Sequence, residues 1–540
     1  MSHLVPLCKG GQYRYHRLTK RPKMPNYKEG LNRNQQLLFP PSLDEYVDEN
    51  NSVRAIDSYV DSIDLAALGI FTCKGVSDGQ PAYHPALLLK IYLYGYLNSI
   101  RSSRKLEREI KRNVEMMWLC EGLTPGYKTI ANFRKDNPSV LKQLFRDFVM
   151  LCRSVDLIDG EVVAIDGAFL RANASKNQLI SEKMTRKDME SVDEKITEYL
   201  SSLEYSDTCE NKEITPIVRK QDLDRLKKHK LKLSSNLQTL KENNATQYCK
   251  SDPDANLMRK PAHHLMAYNT QIAVDGKYKF IVATDISTKG TDLDQLYPLA
   301  TQAKEATGNK EIKVAADAGY YNPKEIKKCV DECIDVYVPI QDKQKQHKDK
   351  GMFARDAFLY DEAKDCYHCP NHEILKRRKT IYEKNGIKRL MYFGTRSVCK
   401  VCPLRSQCLP DKTPAKRLWR WEHEALIEAH RTKMLTPKAK TMIKQRAALA
   451  EHPFGTIKQK LGWSHFLVRG KPKVSGENAL IMLTYNFRRM LNLIGIKLFQ
   501  KLIKASKSGN IEDIKQEIME YIAVLAFFKA FFRQKMSLYI

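Results

Sequence analysis

Three short segments carry carboxylates whose types and placement suit metal-dependent chemistry. They are Val162-Val163-Ala164-Ile165-Asp166-Gly167, Val314-Ala315-Ala316-Asp317-Ala318-Gly319 and Glu451-His452-Pro453-Phe454-Gly455-Thr456-Ile457-Lys458. The first two are apolar β-type runs that end in Asp-Gly or Asp-Ala-Gly, and the third places its Glu on a predicted helix. Singly, each is ordinary: Asp before Gly at a strand end is usually a turn former, and an isolated Glu is usually a surface acid. Gathered in one site, Asp166, Asp317 and Glu451 make a hard oxygen donor set for Mg2+ or Mn2+. Two such ions about 4 Å apart clamp the attacking and leaving oxygens of an in-line phosphoryl displacement. They also neutralise carboxylates that repel one another at close range. Arg446 lies five residues before Glu451 and Lys458 seven after it. On a helix Lys458 shares the face of Glu451, and both cations suit phosphates flanking a cut, although each alone also reads as a solvated charge.

The bulk charge agrees with a polyanionic partner. The 540 residues hold 91 Lys and Arg against 63 acids, a formal net charge of +28, with a pI near 9.4. Nucleic acid is the expected partner. The length implies two to four domains. Met1-Ser2-His3-Leu4 leads into Lys, Arg and Pro, not the apolar stretch of a secretory signal. Tyr521–Phe528, the most apolar run, is shorter than the roughly 20 residues that span a bilayer. Thirteen cysteines without a secretory signal imply reduced thiols or metal ligands. The expected place is the cytoplasm, in work on DNA or RNA, with no membrane partner.

The elements that must position the acids follow from periodicity. Residues 52–155 read as helices; Pro85–Ile100 is apolar nearly all round, as a buried helix is. A Pro125-Gly126 break precedes a short basic helix with Lys128, Arg134 and Lys135. Two helices around a turn are one way to read DNA, and ordinary bundle packing is the other reading. From residue 161 the pattern is strand, hairpin around Asp275-Gly276, helix, strand, helix, strand. The strands are 161–166, 268–274, 280–285, 312–316 and 336–340, with helices at 292–305 and 323–333. This is the order of a ribonuclease-H-like α/β domain, in which the first and fourth strands are neighbours and Asp166 and Asp317 adjacent. The expected organisation is a helical DNA-binding domain at 1–155, a catalytic domain at 156–495 and a helical tail at 496–540. The catalytic domain carries a helical hairpin insertion at 171–262 and a Cys-rich insertion at 341–435. Heptad spacing of Met189, Val192, Ile196, Tyr199 and Leu203 against Leu223, Leu226, Leu233, Leu237 and Leu240, with Lys230 in one slot, predicts the hairpin.

The second insertion holds Cys366-x2-Cys369, Cys399-x2-Cys402 and Cys408. Two CxxC pairs have zinc-ribbon character, and tetrahedral zinc needs four ligands where five are present. A buried cluster of reduced thiols is the alternative. Cys8, Cys73, Cys120, Cys152, Cys209, Cys249, Cys329 and Cys333 read as ordinary thiols.

The ordered set of short stretches resembles the DDE transposases of bacterial insertion sequences, in the branch with a cysteine-bearing insertion before the Glu. The stretches are His84-Pro85-Ala86-Leu87-Leu88-Leu89, Val163-Ala164-Ile165-Asp166-Gly167, Asp252-Pro253-Asp254-Ala255, Tyr268-Asn269-Thr270-Gln271, Ala316-Asp317-Ala318-Gly319-Tyr320 and the Glu451–Lys458 segment. The resemblance covers about residues 30–495. It implies that Asp166, Asp317 and Glu451 form the catalytic triad. It implies that the N-terminal helices bind the element's terminal inverted repeats, and that a homo-oligomer joins the ends to target DNA in a synaptic complex. Related families carry a Tyr–Arg–Glu–Lys signature; Arg446, Glu451 and Lys458 fill its last three places, and Ile443 stands in the tyrosine place. The family-like pattern favours Cys369, Cys399, Cys402 and Cys408 as ligands of a structural zinc, with Cys366 as an alternative. Two other readings compete with the transposase: a metal-dependent nuclease of the same fold that cuts without joining, and a zinc-ribbon DNA-binding regulator with inert acids.

Overall fold

The computed structural model describes residues 42–69, 81–208, 220–259, 264–341, 349–384 and 387–537. Residues 1–46 and 47–540 form separate units. In the first, Leu43–Tyr46 make one 3-10 turn.

Six helices open the second unit: α1 (Ser52–Val60), α2 (Pro85–Leu97), α3 (Ser103–Ile110), α4 (Val114–Leu119), α5 (Tyr127–Asp136) and α6 (Pro138–Ser154). Helix α2 begins where Pro85 takes the first turn and the His84 ring accepts the Ala86 N–H at 3.2 Å. Its continuous apolar surface is buried all round, with Leu89, Ile91, Tyr92 and Leu93 fully covered.

The main sheet contains β1 (Val162–Arg171), β4 (Asn256–Arg259), β5 (His264–Asp275), β6 (Ile281–Ser287), β7 (Ile312–Ala315) and β8 (Ile334–Tyr337). β5 pairs antiparallel with β1 on one side, and with β6 and then β4 on the other; β7 and β8 follow β1 in parallel. Helices α9 (Leu296–Thr307) and α10 (Pro323–Asp331) make the crossovers. The hairpin turns at Asp275-Gly276 as its sequence predicts, and the Asp275 carboxylate accepts the Gly160 and Lys277 N–H groups at 2.9 and 3.0 Å. The last strand lies two to three residues earlier than expected. Helix α9 also starts later than expected, because Asp292 is drawn into the site described below.

The change from helices to strands near residue 155 is not a break in packing. The Lys471–Ser508 helix lies against α1, α2 and α6 and also against β6. Tyr59 of α1 meets Phe148 of α6 and Phe487 of that helix at 5.4 and 5.6 Å between ring centroids. A Cβ at Gly476 would stand 2.5 Å from Pro138 Cα, so glycine permits this approach. The Asn486 amide exchanges two hydrogen bonds with the Ile281 backbone, at 2.9 and 2.8 Å, and so extends the ladder of β6. Gly495 (φ 75°, ψ 173°) kinks the helix at the expected start of the tail. Beyond the kink, Leu498, Phe499, Leu502 and Ile503 remain in the common core with Ile514 and Ile518 of the Ile511–Ser537 helix. The stretch Asp252–Ala255 caps this arrangement: Asp252 accepts the Tyr268 hydroxyl and the Gly470 N–H, and Asp254 the Lys471 N–H.

The first insertion is a hairpin of α7 (Glu182–Thr208) and α8 (Lys220–Glu242), with β2 (Leu179–Ser181) and β3 (Gln247–Cys249) paired at its base. It is shorter than expected, because β1 runs on to Arg171 and β4 returns to the main sheet. Val192, Tyr199, Leu233, Leu237 and Leu240 are buried in the seam, and Lys230 pairs with Asp193 at 2.5 Å. The Leu203 side chain lies outside the described residues. The second insertion is a five-stranded antiparallel sheet in the order β13-β12-β11-β10-β9, made of β9 (Leu359–Asp361), β10 (Cys366–His368), β11 (Ile374–Lys384), β12 (Ile387–Phe393) and β13 (Arg417–Trp421). Among the described residues no helix is long and apolar enough to cross a membrane.

Candidate active site

The register of the sheet sets the two aspartates side by side. β1 and β7 run parallel with Ala164 opposite Ala315. Two residues further on each chain come Asp166, within β1, and Asp317, just past the carboxyl end of β7, at the same level. In open α/β sheets this end is where ligands bind. Asp317 also accepts the Gly319 N–H at 2.8 Å, which turns the chain away from the sheet.

The Pro437–Gly455 helix lies across β1, β7 and β8. Leu449 and Ala450 pack on Ala164, and Ala439 and Met442 on Ala315 and Tyr337. Arg446 is thereby aimed between the aspartates: its guanidinium is 2.8 Å from Asp166 and 3.8 Å from Asp317. Burial, opposed by Arg446 and reinforced by the charge of Asp317, holds the Asp166 carboxyl above the ordinary carboxylate range. Burial works to lower the pKa of Arg446, but the bond to Asp166 and the two negative charges raise it on balance. A positive charge already sits where like charges converge, and the oxygen donors suit a hard divalent ion. The two aspartates therefore suit a shared divalent ion. Arg446, expected beside phosphate, here bonds the carboxylates.

Glu451 lies on the same helix, exposed to solvent, and no described contact joins it to either aspartate. The helix continues as a π-helix over Thr456–Lys460, so the α-helical rotation that placed Lys458 on the face of Glu451 does not hold. Lys458 is exposed, with its ammonium 5.3 Å from the Phe454 ring. Ile443 is half-buried against Ala439 and Met442.

Four residues without an assigned role in the sequence reading surround the aspartates. Asp292 accepts hydrogen bonds from the Asn269 and Gln271 amides at 2.8 and 2.7 Å. Gln271 in turn accepts the Tyr320 hydroxyl. A Cβ at Gly167 would stand 2.6 Å from the Gln271 amide nitrogen and 3.0 Å from both Asp292 Oδ1 and the Tyr320 hydroxyl. Asp292 thus abuts β1 at Gly167, next to Asp166. Burial first, then Asp292, Asp166 and Asp317, push the Tyr320 phenol far above its ordinary range, so it stays a neutral donor. One signal for this group lies in the sequence: Asn269 and Gln271 are polar residues two apart in an otherwise apolar strand, and buried amides require partners.

The basic helix α5 divides its expected DNA contacts. Lys128 and Lys135 are exposed, on one face with Asn132. Arg134 is not a surface residue: it is 6% exposed, donates to the Tyr96 hydroxyl at 2.9 Å, pairs with Glu477 at 3.3 Å and lies over the Tyr92 ring. The expected contact of Arg134 with DNA is therefore corrected. Ile130, Phe133 and Arg134, at helical spacing, form the buried face. Helix α3 packs beside α5 and presents Arg104, Lys105 and Arg108 to solvent.

Cys369, Cys399, Cys402 and Cys408 line one cavity of about 40 Å³. Burial and the three neighbouring thiols push the Cys408 thiol upward, against the Lys416 charge. Four soft donors are the right chemistry for zinc, but no three of these sulfurs lie within 4.8 Å of one another, wider than the about 3.8 Å between thiolates that share one tetrahedral zinc. Cys366 does not line this cavity; it groups with Asp361 and His368, which corrects its place as an alternative fourth ligand.

Two family models match the chain: a transposase domain (DUF772) over residues 41–136 and a transposase DDE domain over residues 368–491. These matches support a DDE transposase of the insertion-sequence type. No curated protein matches it. Among solved structures, the cryo-EM structure of a piggyBac transposase synaptic complex with hairpin DNA aligns over 89% of this chain and 86% of that one, at 8% identity and a TM-score of 0.29. A likeness that shallow carries no argument.

Proposed function

We propose that this transposase binds the terminal inverted repeats of its element and catalyses metal-dependent strand cleavage and strand transfer on a ribonuclease-H-like sheet. The observation that carries the reading is the pairing of Asp166 and Asp317 on adjacent parallel strands, bridged by Arg446. The sheet order β6-β5-β1-β7-β8 supports the fold assignment.

In this reading Asp166, Asp317 and Glu451 hold two Mg2+ or Mn2+ ions. Bound there, the ions supply activation of water, then of a 3′-hydroxyl, and stabilise the leaving oxygen. Arg446 keeps the aspartates close while no cation separates them. Asp292, fixed by Asn269 and Gln271, supports β1 beside Asp166. Lys458 grips phosphate near the cut. The protein acts on DNA in the cytoplasm as a homo-oligomer, as the family resemblance implies. The deciding experiment incubates the full chain and Mn2+ with labelled repeat ends and a target plasmid. Joined products support transposition, cut ends without joining indicate a nuclease, and neither product refutes catalysis.

The exposed Lys128 and Lys135, with Arg104, Lys105 and Arg108 of α3, make the proposed surface for the repeats. Phosphate contacts release counterions, so affinity for the ends falls steeply with salt. Lys128→Ala with Lys135→Ala is expected to reduce the salt slope by about one for each phosphate left without its lysine. Gel shifts with the full chain over a salt series measure this. An unchanged slope and affinity would move the binding surface elsewhere, to the α7–α8 hairpin first.

The four-thiol cavity is proposed to hold a structural zinc. Cys399→Ser is expected to remove one equivalent of zinc and to lower the melting temperature. Metal analysis of the reduced protein, with a thermal melt, tests it; equal zinc in variant and parent rules the site out.

A further inference from the structure

We propose a second metal site in the Cys-rich insertion, in which Asp361, Cys366 and His368 bind one zinc ion through a single thiolate, an imidazole and a carboxylate. The proposal does not depend on the catalytic reading. Strand alternation carries it first. In β10, Cys366 and His368 share one face, while Tyr367 between them packs on the other face with Phe358, Leu375, Tyr392 and Leu418. Cys369 packs beside that second cluster. The chain thus separates one donor pair from the four-thiol cavity within four residues.

Register then brings the third donor. β9 runs antiparallel to β10 with Asp361 opposite Cys366. The thiol, a ring nitrogen and a carboxylate oxygen all lie within 4.8 Å of one another, the only such group of three among the described residues. His368 Nε2 stands 3.5 Å from Asp361 Oδ2. A charged hydrogen bond between such groups is shorter, about 2.7–2.9 Å. Two N or O ligands at about 2.0–2.2 Å from one tetrahedral zinc stand roughly 3.3–3.6 Å apart. The pair is therefore spaced for a shared cation. The second Asp361 oxygen accepts the Lys364 N–H at 3.1 Å, which fixes the carboxylate plane. The Lys364 ammonium, 4.0 Å from Oδ2 on a side chain 70% exposed, is able to swing to solvent when a cation enters.

The donor set chooses the ion. One thiolate with imidazole and carboxylate favours zinc over magnesium or calcium. Cys366 is 5% exposed, whereas the His368 and Asp361 side chains are 33% and 25% exposed, so the fourth position faces solvent on the His–Asp side and takes water. Binding removes the thiol proton to solvent. The bound ion ties the edge strand β9 to β10.

The test uses the full chain, reduced, stripped of metal and reconstituted with Co2+. The double variant Cys366→Ser, His368→Ala is expected to bind one equivalent less than the parent and to lose the charge-transfer intensity of one thiolate. Cys399→Ser should retain that equivalent. Site-resolved alkylation of the parent protein reports independently of folding of the variants: added Zn2+ should protect Cys366, and chelation should expose it. Equal cobalt content in parent and double variant, or alkylation of Cys366 indifferent to zinc, overturns the site.

Discussion

Asp317→Asn is expected to lower cleavage of end-labelled repeat DNA by about 10³-fold, ~4 kcal/mol of transition-state stabilisation, while leaving binding of the same DNA near the parent value. Asparagine keeps the size of the side chain and its ability to accept the Gly319 N–H. What it removes is one of two neighbouring negative charges. The Asp317 side chain is 46% exposed, so its removal should change the fold's stability little. Asp166→Asn should act alike on cleavage and also release Arg446. Glu451→Gln tests the third position separately: a large loss supports the triad, and near-parent cleavage would leave Asp292 as the better third carboxylate. Near-parent cleavage by Asp317→Asn would sink the catalytic assignment altogether.

Arg134→Ala is expected to cost about 3–5 kcal/mol of stability, because it leaves a buried charge without its partner. Glu477 is fully buried; one carboxylate oxygen faces Arg134, and the other accepts the Leu467 and Val468 N–H groups at 2.8 and 3.1 Å. Those bonds hold the loop that leads into the Lys471–Ser508 helix. Removing the arginine strands a carboxylate between two helical segments distant in the sequence. Pairing Arg134→Met with Glu477→Gln should recover much of the loss, since that variant buries no unpaired charge. Urea denaturation of the three proteins measures it. If Arg134→Ala instead melts like the parent and binds repeat DNA weakly, the arginine belongs to recognition after all.

These two sites differ in how far they are legible from the chain alone. Asp166 and Asp317 stand out because apolar strands ending in Asp-Gly and Asp-Ala-Gly, in the right order, admit few topologies once crossovers are short and right-handed. The strands, the hairpin at Asp275-Gly276 and the α7–α8 seam are visible for a similar reason: they rest on local period and turn chemistry. Arg134 is hidden, because a basic residue on a short helix looks solvated. Only the position of Glu477, 343 residues further along the chain, turns that face inward. Asp292 looks like the start of a helix, since nothing local reveals that two amides from β5 claim its carboxylate. Cys366 looks like a spare member of the CxxC set, although alternation along a three-residue strand turns it to the opposite face.

By itself, the sequence determined the chemistry available to this protein: a basic chain, two aspartates that follow apolar β-type runs, a segment with Arg446, Glu451 and Lys458, and five clustered cysteines. It also determined the order of the elements, because hydrophobic period and turn residues act over a few neighbours. Tertiary structure decided which groups meet. It set Arg446 between the aspartates, left Glu451 exposed, buried Arg134 on Glu477, and parted Cys366 from the four-thiol cavity. Those outcomes depend on charges and donors brought together from distant parts of the chain. Their energies depend on burial and separation, and both are properties of the packed fold.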